Sequence, residues 1–127
     1  MPIMEGTRAL KTWAGDYDFA VDGGAASTIT LRSNDGQLPA SAIVEGGVLD
    51  ISVSCASATG TMAFQSEAAG DLLAATAQAG LTAGRKSLTP AFTGATTVKT
   101  TVPRSPAVVI ATAAFTAGAF RLILYYR

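Results

Sequence analysis

Apolar and polar positions alternate with a period of two along several short stretches, the pattern of strands buried on one face. The sharpest case lies in the last quarter of the chain. SPAVVIATAAF (105–115) and AFRLILYYR (119–127) are runs rich in β-branched and aromatic residues, joined by Thr116-Ala117-Gly118. Strand formers on either side of a short glycine-containing loop predict a β-hairpin. In the second run Phe120, Leu122, Leu124 and Tyr126 fall on one face and are expected in the core. Arg121, Ile123, Tyr125 and Arg127 fall on the other, a mixed face suited to touching another chain. A strand at this position is expected to be tied into a sheet.

Upstream, Ala9 to Val21 reads as extended, with Tyr17, Phe19 and Val21 alternating against Asp16, Asp18 and Asp22. Gly23-Gly24 is a turn, and Ser27 to Arg32 is a strand with Ile29 and Leu31 inward. Asn34-Asp35-Gly36 is a strong turn signal. Ala42 to Glu45 is a brief apolar piece, separated by Gly46-Gly47 from Val48 to Cys55, in which Leu49, Ile51, Val53 and Cys55 share a face. After a turn at Ala58-Thr59-Gly60, Thr61 to Glu67 alternates through Met62 and Phe64. Asp71 to Gln78 reads as one or two helical turns with Asp71 as N-cap, and Ala79 to Gly84 as irregular. Leu88 to Phe92 and Thr96 to Val102 read as strands around Thr93-Gly94, and Pro103 and Pro106 bracket an extended link. The expectation is an all-β fold: a single-domain β-sandwich, jelly-roll-like, of about eight short strands with at most one short helix. Residues 9–127 form that domain, and residues 1–8 a flexible N-terminal arm.

Composition narrows the function. A chain of 127 residues suits one core. Nine basic and nine acidic residues cancel and are interspersed, so no electrostatic footprint for nucleic acid is present. Charged residues make up 14% of the chain, against roughly 25% in soluble domains, which favours a surface covered by other subunits. The single Cys55 has no internal disulfide partner, and its place in an alternating apolar run predicts a buried, inert thiol. Met1 to Gly6 lacks the basic and apolar regions of a signal peptide. The longest uncharged stretch, Ser105 to Phe120, is interrupted by Pro106 and Gly118 and falls short of the ~20 residues of a spanning helix. No membrane partner is expected.

Candidate chemistry is sparse. The chain has no histidine, which removes the commonest general base and most zinc and iron sites. Asp16, Asp18 and Asp22-Gly23-Gly24 lack the offsets of a calcium loop; a solvated strand face is the plain reading. Nothing in the spacing brings Glu45, Asp50 or Glu67 into a catalytic pair. Gly84-Arg85-Lys86-Ser87 lacks the upstream glycine and residue order of a phosphate-binding loop. Arg85 and Lys86 are either a surface pair or partners for a carboxylate on a neighbouring subunit. Trp13 is either a core anchor or an aromatic at an interface. No catalytic, metal-ligating or cofactor-binding residue is predicted. The candidate interface residues are Trp13, Arg85, Lys86, Arg121, Ile123, Tyr125 and Arg127.

Taken together, DYDFAVDGG, STITL, IVEGGVLDISV, AGRKSLTPAFTGATTVKTT and RSPAVVIATAAFTAGAFRLILYYR resemble small β-rich virion proteins of tailed bacteriophages, most of all capsid decoration (cement) proteins. That resemblance implies a non-enzymatic protein made in the host cytoplasm and located on the capsid surface. It implies the major capsid protein and further copies of itself, as a trimer, as partners. A neck, tail or head-fibre subunit is the alternative within the same group, and a carbohydrate-binding adsorption module the alternative of another class. The resemblance carries no functional residue with it.

Overall fold

The computed structural model describes residues 10–88 and 98–127. The expected arm, and the expected strands where they run through residues 89–97, lie outside the described residues. The described residues form a two-sheet antiparallel sandwich. The elements in chain order are β1 (Lys11–Asp18), a helical turn α1 (Phe19–Asp22), β2 (Thr28–Thr30), β3 (Ile43–Ala56), β4 (Thr61–Gln65), β5 (Leu73–Ala77), a 3₁₀ turn (Gln78–Gly80), β6 (Gly84–Ser87), β7 (Val98–Lys99), β8 (Ala107–Ala111) and β9 (Ala117–Tyr126). The larger sheet runs β1-β9-β3-β6, with β7 also paired to β3, and the smaller runs β2-β8-β4-β5. Trp13, Tyr17, Leu49, Ile51, Phe120, Leu122 and Leu124 face inward from the first; Met62, Phe64, Val108 and Ile110 face them from the second.

The closing hairpin does not form. β8 pairs with β2 and β4, whereas β9 pairs with β1 and β3. The two runs belong to opposite sheets, joined by an arch over 112–116. Both carry a full apolar face, and setting those faces across one core buries each against the other. The arch is anchored elsewhere: the Phe115 amide donates to the Gly24 carbonyl and the Thr116 amide to the Ala56 carbonyl, each at 2.8 Å. Phe115 itself is buried.

Other boundaries move for local reasons. The extended run stops at Asp18, whose side chain accepts from the Ala20 amide and starts α1; Gly23, at φ 75°, ends it. Val21 is therefore exposed instead of inward. Gly46-Gly47 does not break the strand but lies inside β3, because a Cβ on Gly47 would stand 2.6 Å from the Ile123 carbonyl oxygen. Bulges at Glu45 and Ser52 shift the phase, so Val53 pairs with outward-facing Ala119 and is exposed. Asp71 caps no helix. Its carboxylate accepts from the Ser66, Glu67 and Ala68 amides, closing the preceding loop, and Leu73–Ala77 pairs with β4. Burial of Leu72 and Leu73 overrides the helix propensity of the alanines.

Cys55 is buried, as expected, and burial pushes its thiol up to about 11. The Tyr17 hydroxyl, pushed up to about 12 mainly by burial, donates to the Gly23 carbonyl at 2.5 Å. Glu67 ties the loop after β4 to the segment before β8: it accepts from Arg104 Nε at 2.8 Å and from the Thr101 hydroxyl at 2.8 Å. These bonds, Arg104 foremost, hold its carboxyl down to about 2 from an ordinary 4.5. A depressed carboxyl stabilises the fold fully above its unfolded value and loses that contribution as pH falls through the folded one. The expected result is that Glu67→Gln lowers the urea midpoint at neutral pH, and that the gap to the parent protein closes between pH 4.5 and 2. Urea titrations across that range check it.

Candidate functional site

β9 is the organising strand of the candidate surface. Both of its edges are paired, so only its two faces remain: an inner face in the core and an outer face in solvent. Arg121, Ile123, Tyr125 and Arg127 all lie on the outer side, where the alternation puts them, and Tyr125 is 37% exposed. The antiparallel register then decides what stands beside each. Ala119 lies between Asp18 and Val53, and Ile123 between Ala14 and Val48. Tyr125 lies between Thr12 and Gly46. The row through Arg121 is the most ordered: Asp16, Arg121, Asp50 and Arg85 stand opposite one another on β1, β9, β3 and β6. Charge alternates at every step across the four strands.

Within this row Arg121 Nε meets the Asp16 carboxylate at 2.7 Å, and a second nitrogen meets its other oxygen at 3.2 Å. Among the described residues, Asp50 and Arg85 form no salt bridge with their neighbours in the row. Arg127 pairs with Glu45, the extra residue of the β3 bulge. An open hollow of about 400 Å³ adjoins the row, lined by Asp16, Asp18, Asp50, Arg32 and Arg121 among others.

Two of the hollow's carboxylates, Asp16 and Asp18, are already engaged by protein. Asp18 caps α1, and Asp22 pairs with Arg32 at 3.0 Å while accepting from the Asp18 amide. Among the described residues no three His, Cys, Asp or Glu side chains are placed to hold a metal ion. Gly84–Ser87 is a strand paired with β3, not the strand-to-helix loop that cradles a phosphate. Glu45 and Glu67 are each held in an ion pair with an arginine, Arg127 and Arg104.

Of the seven candidate interface residues, the structure gathers Arg85, Arg121, Ile123, Tyr125 and Arg127 on one sheet face. Lys86 is on β6 opposite inward-facing Leu49, its amine 3.0 Å from the Thr82 hydroxyl. Trp13 leaves the set. It is 1% exposed in the core, and its indole nitrogen donates to the Gly36 carbonyl at 2.8 Å. Val48 and Asp50 belong to the surface and escape a reading along the chain, and Asp16, read there as part of a solvated strand face, joins them because strand register places all three beside β9. For Asp50 the available signal was its outward phase between Leu49 and Ile51.

No family model matches the chain, and no curated protein matches it. A solved structure does: a chain of the capsid asymmetric unit of cyanophage Pam1, with a TM-score of 0.57 and 22% identity. The match covers 93% of this chain and 84% of that one. Among the described residues no helix is long and apolar enough to cross a membrane. The two-sheet sandwich is thus a fold shared, over nearly the whole chain, with a component of a phage capsid.

Proposed function

We propose that this protein is a structural subunit of a phage shell, a decoration or cement protein that binds the assembled major capsid protein lattice and stabilises it, with the outer face of the larger sheet as its assembly surface. The observation that carries the reading is the fold match to a capsid chain along nearly all of both molecules. That capsid chain is only slightly longer than this one. The charge-poor composition suits burial in extended contacts. Ladder hydrogen bonds across both sheets make a stiff block, fit to hold neighbouring subunits in place. A protein that binds the assembled lattice better than its loosened form stabilises the lattice by mass action.

The test adds purified protein to shells stripped of accessory subunits. The expected result is saturable binding, a higher rupture temperature, and a copy number in the intact particle on the scale of the shell lattice. Tyr125→Ala is expected to keep the far-UV spectrum and weaken shell binding about tenfold, the loss of a partly exposed interface aromatic. Absence of binding, or a copy number matching a single neck or tail ring, overturns the reading.

A further inference from the structure

We propose that the outer face of the larger sheet docks a second copy of this chain, face to face, about a two-fold axis running along the seam between β9 and β3. This deepens the assembly-surface reading and rests on it: the copies join through this face, and the pair meets the shell with its remaining surface. The argument is one of complementarity. A two-fold axis parallel to the strands, midway between Arg121 and Asp50, reverses the order of each row while keeping its level. The row Asp16, Arg121, Asp50, Arg85 then meets its own reverse: Asp16 faces Arg85 of the second copy, and Arg121 faces Asp50. Every charge meets its opposite. An axis along the row instead would set Asp over Asp and Arg over Arg, so the charge pattern selects the first geometry.

The same operation matches the other rows. Ile123 comes over Val48 of the second copy and Ala119 over Val53, apolar on apolar. Tyr125, the largest exposed side chain on β9, comes over Gly46, which has no side chain to obstruct it. These contacts lie nearest the axis, where the twist between packed sheets displaces them least. The contact also supplies ionic partners for Asp50 and Arg85, which form no salt bridge among the described residues. It builds a dimer, where the resemblance to cement proteins implies a trimer.

The test is sedimentation equilibrium of the full chain without any shell, so its failure leaves the shell-binding result standing. The expected mass is twice 12.8 kDa at high micromolar concentration, falling toward one chain as salt rises. Asp50→Lys alone and Arg121→Glu alone are each expected to weaken association at least tenfold, because each sets like charges together across the axis. Their equimolar mixture is expected to restore it, since lysine then faces glutamate and the native pair forms at the other contact. Arg121→Glu also loses the bond to Asp16, so a variant outside every ion pair serves as a second probe. Gly46→Arg, where an added Cβ has no neighbour nearer than 3.9 Å, is expected to stay folded and remain monomeric. A trimer, a monomer at all concentrations, or variants that associate like the parent overturn the proposal.

Discussion

Phe120→Ala is expected to cost about 3–5 kcal/mol of unfolding free energy and to lower the melting temperature by roughly 12–20 °C. Phe120 is 3% exposed at the middle of β9. Its ring stacks on Tyr17 of β1 with centroids 4.9 Å apart, and meets Phe64 of the opposite sheet edge-on at 5.1 Å. Deleting it removes contacts along the larger sheet and between the two sheets together. The void has little room to collapse, because β1 and β3 are held by ladders on both edges of β9. Urea unfolding followed by fluorescence of Trp13, the single tryptophan, measures the loss. A cost below about 1.5 kcal/mol would mean that the site closes over the missing ring and that this stack does not join the sheets.

Gly118→Ala is expected to rank second, at about 2–5 kcal/mol, combining backbone strain with overpacking. Gly118 has φ 145°, a conformation that a residue with a side chain rarely adopts, and its Cβ would stand 2.7 Å from Cys55 Sγ. The two costs separate in a double-mutant cycle. Cys55→Ala removes the obstructing sulfur but leaves the backbone conformation unchanged. The double variant should therefore be more stable than the sum of the two single losses predicts, by about 1–3 kcal/mol, while remaining below Cys55→Ala alone. Strict additivity would show that the close approach at the start of β9 is not made.

What the sequence discloses and what it hides differ by range. The two faces of β9 are legible because period two over Phe120 to Tyr126 is a property of that segment alone. Met62 and Phe64, Leu31, and the turn at Asn34-Asp35-Gly36 are legible for the same reason. The arch between β8 and β9 is hidden: a glycine-containing loop between apolar runs serves a hairpin and a sheet-to-sheet crossing equally well. Only the competition for partners, β1 and β3 against β8, decides between them. Asp71 is a capping residue by type, but the amides it serves lie before it, at Ser66 to Ala68. Gly46-Gly47 resembles a break, yet close approach of β9 requires glycine inside the strand. The candidate surface shows both ranges. Its β9 residues follow from alternation, whereas the charge row needs the register of strands far apart in the chain.

The central place of β9 also governs when this surface comes into existence. Lys11 pairs with Tyr126, and Gly46 with Tyr125, so the larger sheet is closed by contacts between distant parts of the chain. Such contacts form late, after the cost of closing long loops has been met. During synthesis β1 and β3 wait with open edges until residues 117–126 have emerged, and no partial chain carries the row from Asp16 to Arg85. A half-folded molecule therefore lacks the proposed face. Placing β9 between two strands from the first half of the chain makes this face the part of the larger sheet that is completed latest.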